Sequence, residues 1–473
     1  MKKSFFISTA IDYPSERGHL GHALEKVQAD VIARYKRLQG VDVRFSTGLD
    51  EHGLKIQRYA KKAGKKPQEF VNEMSKHFKD LWRVLNISND DFIRTTETRH
   101  IKVAQEIIKK IYKKGDIYKG KYKGLYCVDC ESYYLPKDLK DGKCPIHHKP
   151  AETIEEETYF FRMSKYQRQI LKYIRENKNF IIPESKRNEI LNRLKEPLQD
   201  LSISRAKVEW GIPFPMNTKF TIAVWPEALM NYLTTLDYPS NKFKKFWPGI
   251  HIMGKDIVWH HAVIFPSLLL SAGIKIPKTI FVHGFITVGG QKMSKSLGNV
   301  IDPFELVKKY GTDAVRYFLL REIPPTEDGD FTYEKFEARY NSDLASGLGN
   351  LVARVLTMAE KVSSINYQPS KEKEIEKVID DARKKYKKAL DEFKFNESLI
   401  AIWNLISFSD KYIEKERPWE EKENQKIVIG NLLFVISNIA EMLGSFLPET
   451  SEKILKQLAT KKSKPLFPRL DKK

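Results

Sequence analysis

Short apolar runs alternate with longer stretches whose apolar residues fall three and four apart, and this holds for roughly the first 330 residues. Ser4 to Ala10 is an apolar run that breaks before Asp12 and predicts a buried strand. A loop with Pro14 and Gly18 follows. From His19 to about Gln39 one helical stripe carries Leu20, Leu24, Val27, Val31, Tyr35 and Leu38, and Gly40 stops it. Further strands are predicted at Val41–Thr47, Thr158–Arg162, Ile250–Gly254 and Thr279–Phe285, and amphipathic helices at 67–85 and 100–114. In Val224–Leu233 the spacing of Trp225, Ala228, Leu229 and Tyr232 predicts one core-facing helix. Asp302 and Pro303 open another helix as N-cap and first-turn residue, and 308–320 reads as a short helix pair. From Tyr333 onward strand patterns disappear and long amphipathic helices take over. The pattern predicts an α/β fold followed by an all-α domain.

Composition narrows this. At 473 residues and 41% hydrophobic content the chain has material for two to four domains with sizeable cores. The formal charge of +21 favours a polyanionic partner, nucleic acid above all, although a lysine-rich composition produces such an excess without function. No run of about 18 apolar residues predicts a membrane span, and the short apolar start reads as strand rather than signal peptide. The three cysteines share one window, spaced C-x2-C-x13-C-x2-H through Cys127, Cys130, Cys144 and His147. That is no disulfide framework. It fits a reducing cytoplasm and one tetrahedral, structural Zn²⁺, with His148 as the alternative fourth ligand.

Several stretches carry chemistry. His19 and His22 fall on one face of the first turn of their helix, where anions are favoured. Taken singly, either would be an ordinary helix-start residue. Thr47–Ile56 holds three ionisable groups in a Gly-flanked turn at a strand end, and Asp50 suits a substrate ammonium; the plainer alternative is a helix-capping turn. Asp256 ends a strand in a Gly-x-Asp turn fit for ribose hydroxyls. Gly289–Asn299 reads as a mobile Gly-framed loop with Lys292 and Lys295 three apart, suited to gripping a polyphosphate or simply a solvated basic turn. Asn350 and Arg354 share a helix face, and Trp419 offers a stacking surface for an unstacked base; each alone would pass as packing.

Together the motifs carry a resemblance. Gly18–His22 and Lys292–Ser296 resemble the two signatures of the class I aminoacyl-tRNA synthetases, and Thr47–Ile56 is similar to the Thr-Gly-x-Asp-Glu-His-Gly-x-Lys-Ile pattern of the methionyl-tRNA synthetase family. The resemblance covers nearly the whole chain. It implies a Rossmann-like catalytic domain in two halves (1–114 and 216–289), split by a zinc-bearing insertion (115–215), then a loop and stem-contact region (290–340) and an all-α anticodon-binding domain (341–473). It implies that methionine, ATP and Mg²⁺ form methionyl-adenylate, and that the methionyl group then passes to tRNA(Met). His19, His22, Lys292 and Lys295 would serve the phosphates, and Gly21, Gly254 and Asp256 the rest of ATP. Tyr13, Asp50, Trp225, Ala228, Leu229, Tyr232, Ile257, His261 and Phe265 would hold methionine, with Asp50 on its amino group. Asn350, Arg354 and Trp419 would read the anticodon. The chain departs from the family at Glu227, where the Trp-x-Asp-Ala pattern has aspartate, at Pro226 before it, and at Phe265, where many members have tryptophan.

Rival readings are a class I synthetase for leucine, isoleucine, valine or cysteine, or a non-enzymatic tRNA-binding relative. The branched-chain enzymes need editing, and the stretch between the signatures leaves no room for a large editing domain. A cysteine enzyme would be expected to hold zinc in the active site itself. The intact histidine and lysine pairs speak against a non-enzymatic relative. With no dimerisation module recognised after the helices, a cytoplasmic monomer is expected.

Overall fold

The computed structural model describes residues 3–134, 138–145, 148–293, 298–362, 372–420 and 423–470. Six strands form one parallel sheet: β1 (Ser4–Thr9), β2 (Asp42–Leu49), β3 (Asp91–Arg94), β4 (Ile181–Ile182), β5 (Ile250–Gly254) and β6 (Thr279–His283). Their order is β3-β2-β1-β5-β6-β4. Ser8 lies opposite Ser46 of β2 and His251 of β5, which fixes the register at the sheet centre. The strand order reverses between β1 and β5. In such folds that reversal opens a crevice at the carboxyl ends of the two strands, where ligands bind. Strands in the middle of a parallel sheet are covered on both faces; Phe6, Ile7, Ile252 and Met253 are fully buried, and so are the polar Ser8, Thr9 and His251.

By its contacts the chain divides into two units. One comprises residues 1–18, 40–81 and 88–283; the other comprises 19–39, 82–87 and 284–473. Helix α1 (Leu20–Leu38), which links β1 to β2 in sequence, therefore packs with the C-terminal unit, a grouping the sequence pattern does not reveal. In the first unit an antiparallel sheet departs from the main fold, with Ile117–Cys127 paired to both Ser132–Tyr134 and Glu152–Phe161. The acidic run before Thr158 is part of this longer strand. Glu157 and Glu155 sit 3.0 and 3.4 Å from Lys119 and Lys123 on the neighbouring strand.

The expected strand Thr279–Phe285 ends at His283, the last residue of the first unit; in the second unit Ile286–Val288 begins a separate small sheet with Gln291–Lys292 and Gly329–Phe331. Helices follow at Asn350–Lys361, Lys373–Asp391, Phe395–Glu416, Gln425–Leu443 and Pro448–Thr460. Gln425–Leu443 is long and apolar enough by composition to cross a membrane, but 72% of its apolar window is buried inside the protein. It is the central helix of a bundle, a case that a search for uninterrupted apolar runs passes over. Asp313 and Arg316 of Thr312–Arg321 lie buried against this bundle. Arg316 pairs with Asp30 at 2.7 Å and donates to the Phe446 carbonyl, and Asp313 accepts from Thr450 N.

Two details of pattern reading change. Leu38, placed on the apolar stripe of α1, is 64% exposed, because it is the last helical residue and the stripe ends a turn earlier. Val224–Leu233 is not one helix but two short ones, Val224–Ala228 and Asn231–Thr234.

Candidate active site

The first signature lies at the start of α1. His19 is the N-cap, and its Nδ1 accepts from Gly21 N at 3.1 Å; His22 Nδ1 in turn accepts from His19 N at 3.1 Å. The rings lie 4.0 Å apart. Because both Nδ1 atoms accept backbone protons, each neutral ring must carry its proton on Nε2. A helix start that would otherwise present bare N–H groups thus presents two imidazole donors as well. A side chain at Gly21 would come within 2.9 Å of the His19 ring and 3.6 Å of Met293 Cε, so the second signature's methionine lies beside the first signature's glycine.

The loop bearing that methionine rises from a hairpin. Gly289 and Gly290 both have positive φ (59° and 76°), the turn chemistry that joins Val288 to Gln291. Asp330 anchors the base, its Oδ1 accepting from Thr287 Oγ1 at 2.8 Å and Gly290 N at 2.7 Å. Lys292, expected in a loop, is in the short strand that follows. It is exposed, with its ammonium 5.2 Å from the Phe285 ring centre. Lys295 lies outside the described residues.

The proposed methionine residues come together in the other unit. Asp50 is buried just past β2, and its Oδ1 has no hydrogen-bond partner among the described residues. Burial, then the nearby Glu227 and Glu131 carboxylates, push the Asp50 carboxyl well above its usual range, against the pull of the His52 N–H. A buried acid raised by other acids is a ready acceptor for a cation. Tyr13 is half-buried and donates to the His52 carbonyl at 2.6 Å. Ala228 and Leu229 are buried, and Trp225 is half-buried with its face on His260 at 3.7 Å between ring centres. Burial, aided by His261 and Arg193, brings His260 down to about 3, so it stacks as a neutral ring. His261 sits in a π-helical turn, His260–Ile264, where its Nδ1 donates to the Ile257 carbonyl at 3.0 Å. Its Nε2 then accepts from the Tyr232 hydroxyl at 2.7 Å. Phe265 packs 5.5 Å from Tyr232. These rings form an uncharged, aromatic wall suited to a thioether. Gly254 is buried at the end of β5, whereas Asp256 is exposed two residues on.

The three cysteine sulfurs cluster within 4.8 Å of one another, and Cys127 and Cys144 are buried. Sulfurs bound tetrahedrally to one zinc at about 2.3 Å stand roughly 3.8 Å apart, and Cys130 and Cys144 are 3.5 Å apart here. The donor set therefore fits zinc. The Cys127 sulfur beside it, together with burial, pushes the Cys130 thiol far up, so the cluster resists ionising without a cation. His147 lies outside the described residues; His148 is exposed and does not join the cluster.

Comparison with known proteins decides the family. Residues 5–147 and 134–356 match the family described as tRNA synthetases class I (M), and residues 372–471 match the anticodon-binding domain of tRNA ligase. Methionine–tRNA ligase of Caldanaerobacter subterraneus is 46% identical, over 97% of this chain and 74% of that protein, and the Thermotoga maritima ligase is 41% identical over 96% and 75%. The chain belongs to the methionyl-tRNA synthetase family. Mycobacterium tuberculosis methionyl-tRNA synthetase in complex with methionyl-adenylate superposes with a TM-score of 0.92 at 36% identity, covering 100% of this chain and 99% of that one. The ligand-free form of the same enzyme gives 0.87 at 33% identity, with 100% and 99% coverage.

A family member needs a tRNA-reading surface. Asn350 is exposed at the start of its helix. Arg354, one turn on, is held by Glu414 at 3.0 Å and lies 3.9 Å from Asp410. Trp419 stands 48% exposed on a short 3₁₀ turn after Arg417, which adopts a left-handed backbone. Sequence reasoning missed two groups near Asp50. Glu131, directly after Cys130, accepts from Lys55 N at 2.8 Å, and the same oxygen lies 3.2 Å from Tyr13 Oη. Its only sequence signal was adjacency to a metal ligand. Gly53 is required there, because a Cβ would meet Glu131 Oε1 at 2.6 Å and φ is 105°. The second group surrounds Glu227, whose signal was its departure from the family pattern.

Proposed function

We propose that the protein activates methionine with ATP, releasing pyrophosphate, and transfers the methionyl group from methionyl-adenylate to tRNA(Met). The observation that carries the substrate choice is Asp50. It is a buried carboxylate with an unpartnered oxygen, in one unit with the neutral wall of Trp225, Tyr232, His261 and Phe265. Asp50 takes the ammonium, and the wall takes the thioether. His19 and His22 donate from the helix start, and Lys292 and Lys295 clamp the phosphates as charge develops on the α-phosphate and the leaving pyrophosphate. Gly21 admits the nucleotide to the backbone, and Gly254 and Asp256 take the ribose side. No covalent nucleophile is required.

Zinc is held by Cys127, Cys130, Cys144 and His147, and stabilises the knuckle without taking part in the reaction. Mg²⁺ arrives with ATP and balances phosphate charge. Asn350, Arg354 and Trp419 read the anticodon, and the domain limits follow those of the family. The protein works in the cytoplasm, in keeping with clustered, unbridged thiols, and as a monomer, which light scattering tests. Pyrophosphate exchange measured across the amino acids tests the central assignment. Exchange dependent on methionine is expected, and exchange driven best by another amino acid overturns it.

A further inference from the structure

The Glu227 carboxylate joins two histidines. One oxygen accepts from His52 Nδ1 at 3.0 Å and the other from His100 Nε2 at 2.9 Å, and all three side chains are buried. His100 Nδ1 lies 3.3 Å from Thr234 Oγ1, whose own proton goes to the Met230 carbonyl at 3.0 Å. His52 is fixed from three sides. Its ring donates to Glu227, its carbonyl accepts from Tyr13 Oη, and its backbone N–H donates to Asp50.

We propose that Glu227 is a positioning residue for the amino-acid subsite. Its two oxygens lock the His52 turn and the His100 helix, Thr98–Lys113, to the Trp225–Tyr232 wall, and so hold Asp50 with one oxygen turned to the substrate ammonium. Glutamate stands here where the family pattern has aspartate, and its two oxygens make this bridge. The proposal rests on the methionine assignment above.

The test is pyrophosphate exchange, with KM for methionine, KM for ATP and kcat measured separately, on Glu227→Gln, His100→Asn and Asp50→Asn. Glutamine keeps the length but replaces one accepting oxygen with a donor that opposes a ring N–H. Glu227→Gln is expected to raise KM for methionine about tenfold or more, with KM for ATP and kcat within about threefold of the parent. His100→Asn breaks one arm only and is expected to shift the same parameter less; it carries the test if Glu227→Gln does not fold. Methionine KM within about twofold of the parent in the folded variants, or a parallel loss in all three parameters, overturns the proposal. Asp50→Asn separates two failures. If it too leaves methionine KM unchanged, the pocket assignment fails; if it alone raises KM, only the Glu227 bridge fails.

Discussion

His19 and His22 cap each other: each ring's Nδ1 accepts a backbone proton from the first turn that the two residues share, at 3.1 Å in both cases. Structure and chemistry are thereby separable. Asparagine is a good N-cap, so His19→Asn is expected to keep the helix start and the thermal stability. It is also expected to slow adenylate formation by about 100-fold or more, the usual effect of removing a preorganised donor. Thermal unfolding and pyrophosphate exchange on one preparation check this; a large loss of stability would make His19 a cap and nothing more.

Lys292 and Lys295 are expected to act mainly in the transition state. Alanine at Lys295 should reduce kcat for adenylation by orders of magnitude with methionine affinity nearly intact. Lys292→Ala should do the same. Equilibrium methionine binding beside single-turnover adenylation separates the two effects, and weakened methionine binding with unchanged turnover contradicts the role.

The cysteine cluster predicts about one zinc per chain by metal analysis. Cys144 is fully buried among the sulfurs, so Cys144→Ser should lose the metal and lower the unfolding temperature. Retention of zinc at unchanged stability rules out the ligand set.

Asp50 and Glu227 titrate in opposite directions. Asp50 is pushed up, first by burial and then by its acidic neighbours, so the folded state holds its proton more tightly than the unfolded chain. Stability from this group falls as pH rises from the ordinary aspartate value, about 3.9, through the raised folded value. Asp50→Asn should therefore be more stable than the parent at neutral pH while binding methionine worse, the usual cost of a built site. Methionine binding should release a proton wherever the free Asp50 is protonated, visible as buffer-dependent binding heat. For Glu227 burial pushes up, but the charges and hydrogen bonds of His52 and His100 outweigh it and the carboxyl is lowered. Its contribution is complete above the ordinary glutamate value, about 4.3, and is lost as pH falls through the lower folded one. Glu227→Gln should narrow the stability gap between neutral and acid pH.

Residues whose role is local were the legible ones. Asp302 caps its helix by accepting from Phe304 N at 2.8 Å, as its place before Pro303 predicted, and the cysteine spacing did bring three sulfurs together. The parallel sheet followed from apolar runs separated by helical stretches. What stayed hidden depends on contacts between distant segments. His52, His100 and Glu227 lie 48 and 127 residues apart in sequence, and no periodicity links them. The break within Val224–Leu233 was invisible for the same reason, since both short helices carry buried residues at helical spacing. Where α1 packs with the C-terminal unit it carries the buried Asp30–Arg316 pair, two charges that a polarity pattern places on the surface.

Trp419 is the sharpest test of the tRNA surface. The excess positive charge attracts any RNA, but phosphate contacts position and do not specify; an anticodon loop is read by stacking and base edges. Trp419 is among the few large apolar side chains left exposed, and Arg417 turns the chain there with φ 46°. Arg354 is already engaged by Glu414, so its donors are shared with an acid until RNA arrives, and Trp419 is the cleaner target. Base–aromatic stacking is worth about 1–3 kcal/mol by alanine substitution. Trp419→Ala should thus weaken charging of tRNA with a CAU anticodon by roughly tenfold or more. Adenylate formation without tRNA should hardly change, because the indole contributes nothing to activation. Both activities measured in one preparation decide the matter. If adenylation falls as far as charging, the ring is a packing residue, and the stacking role is lost.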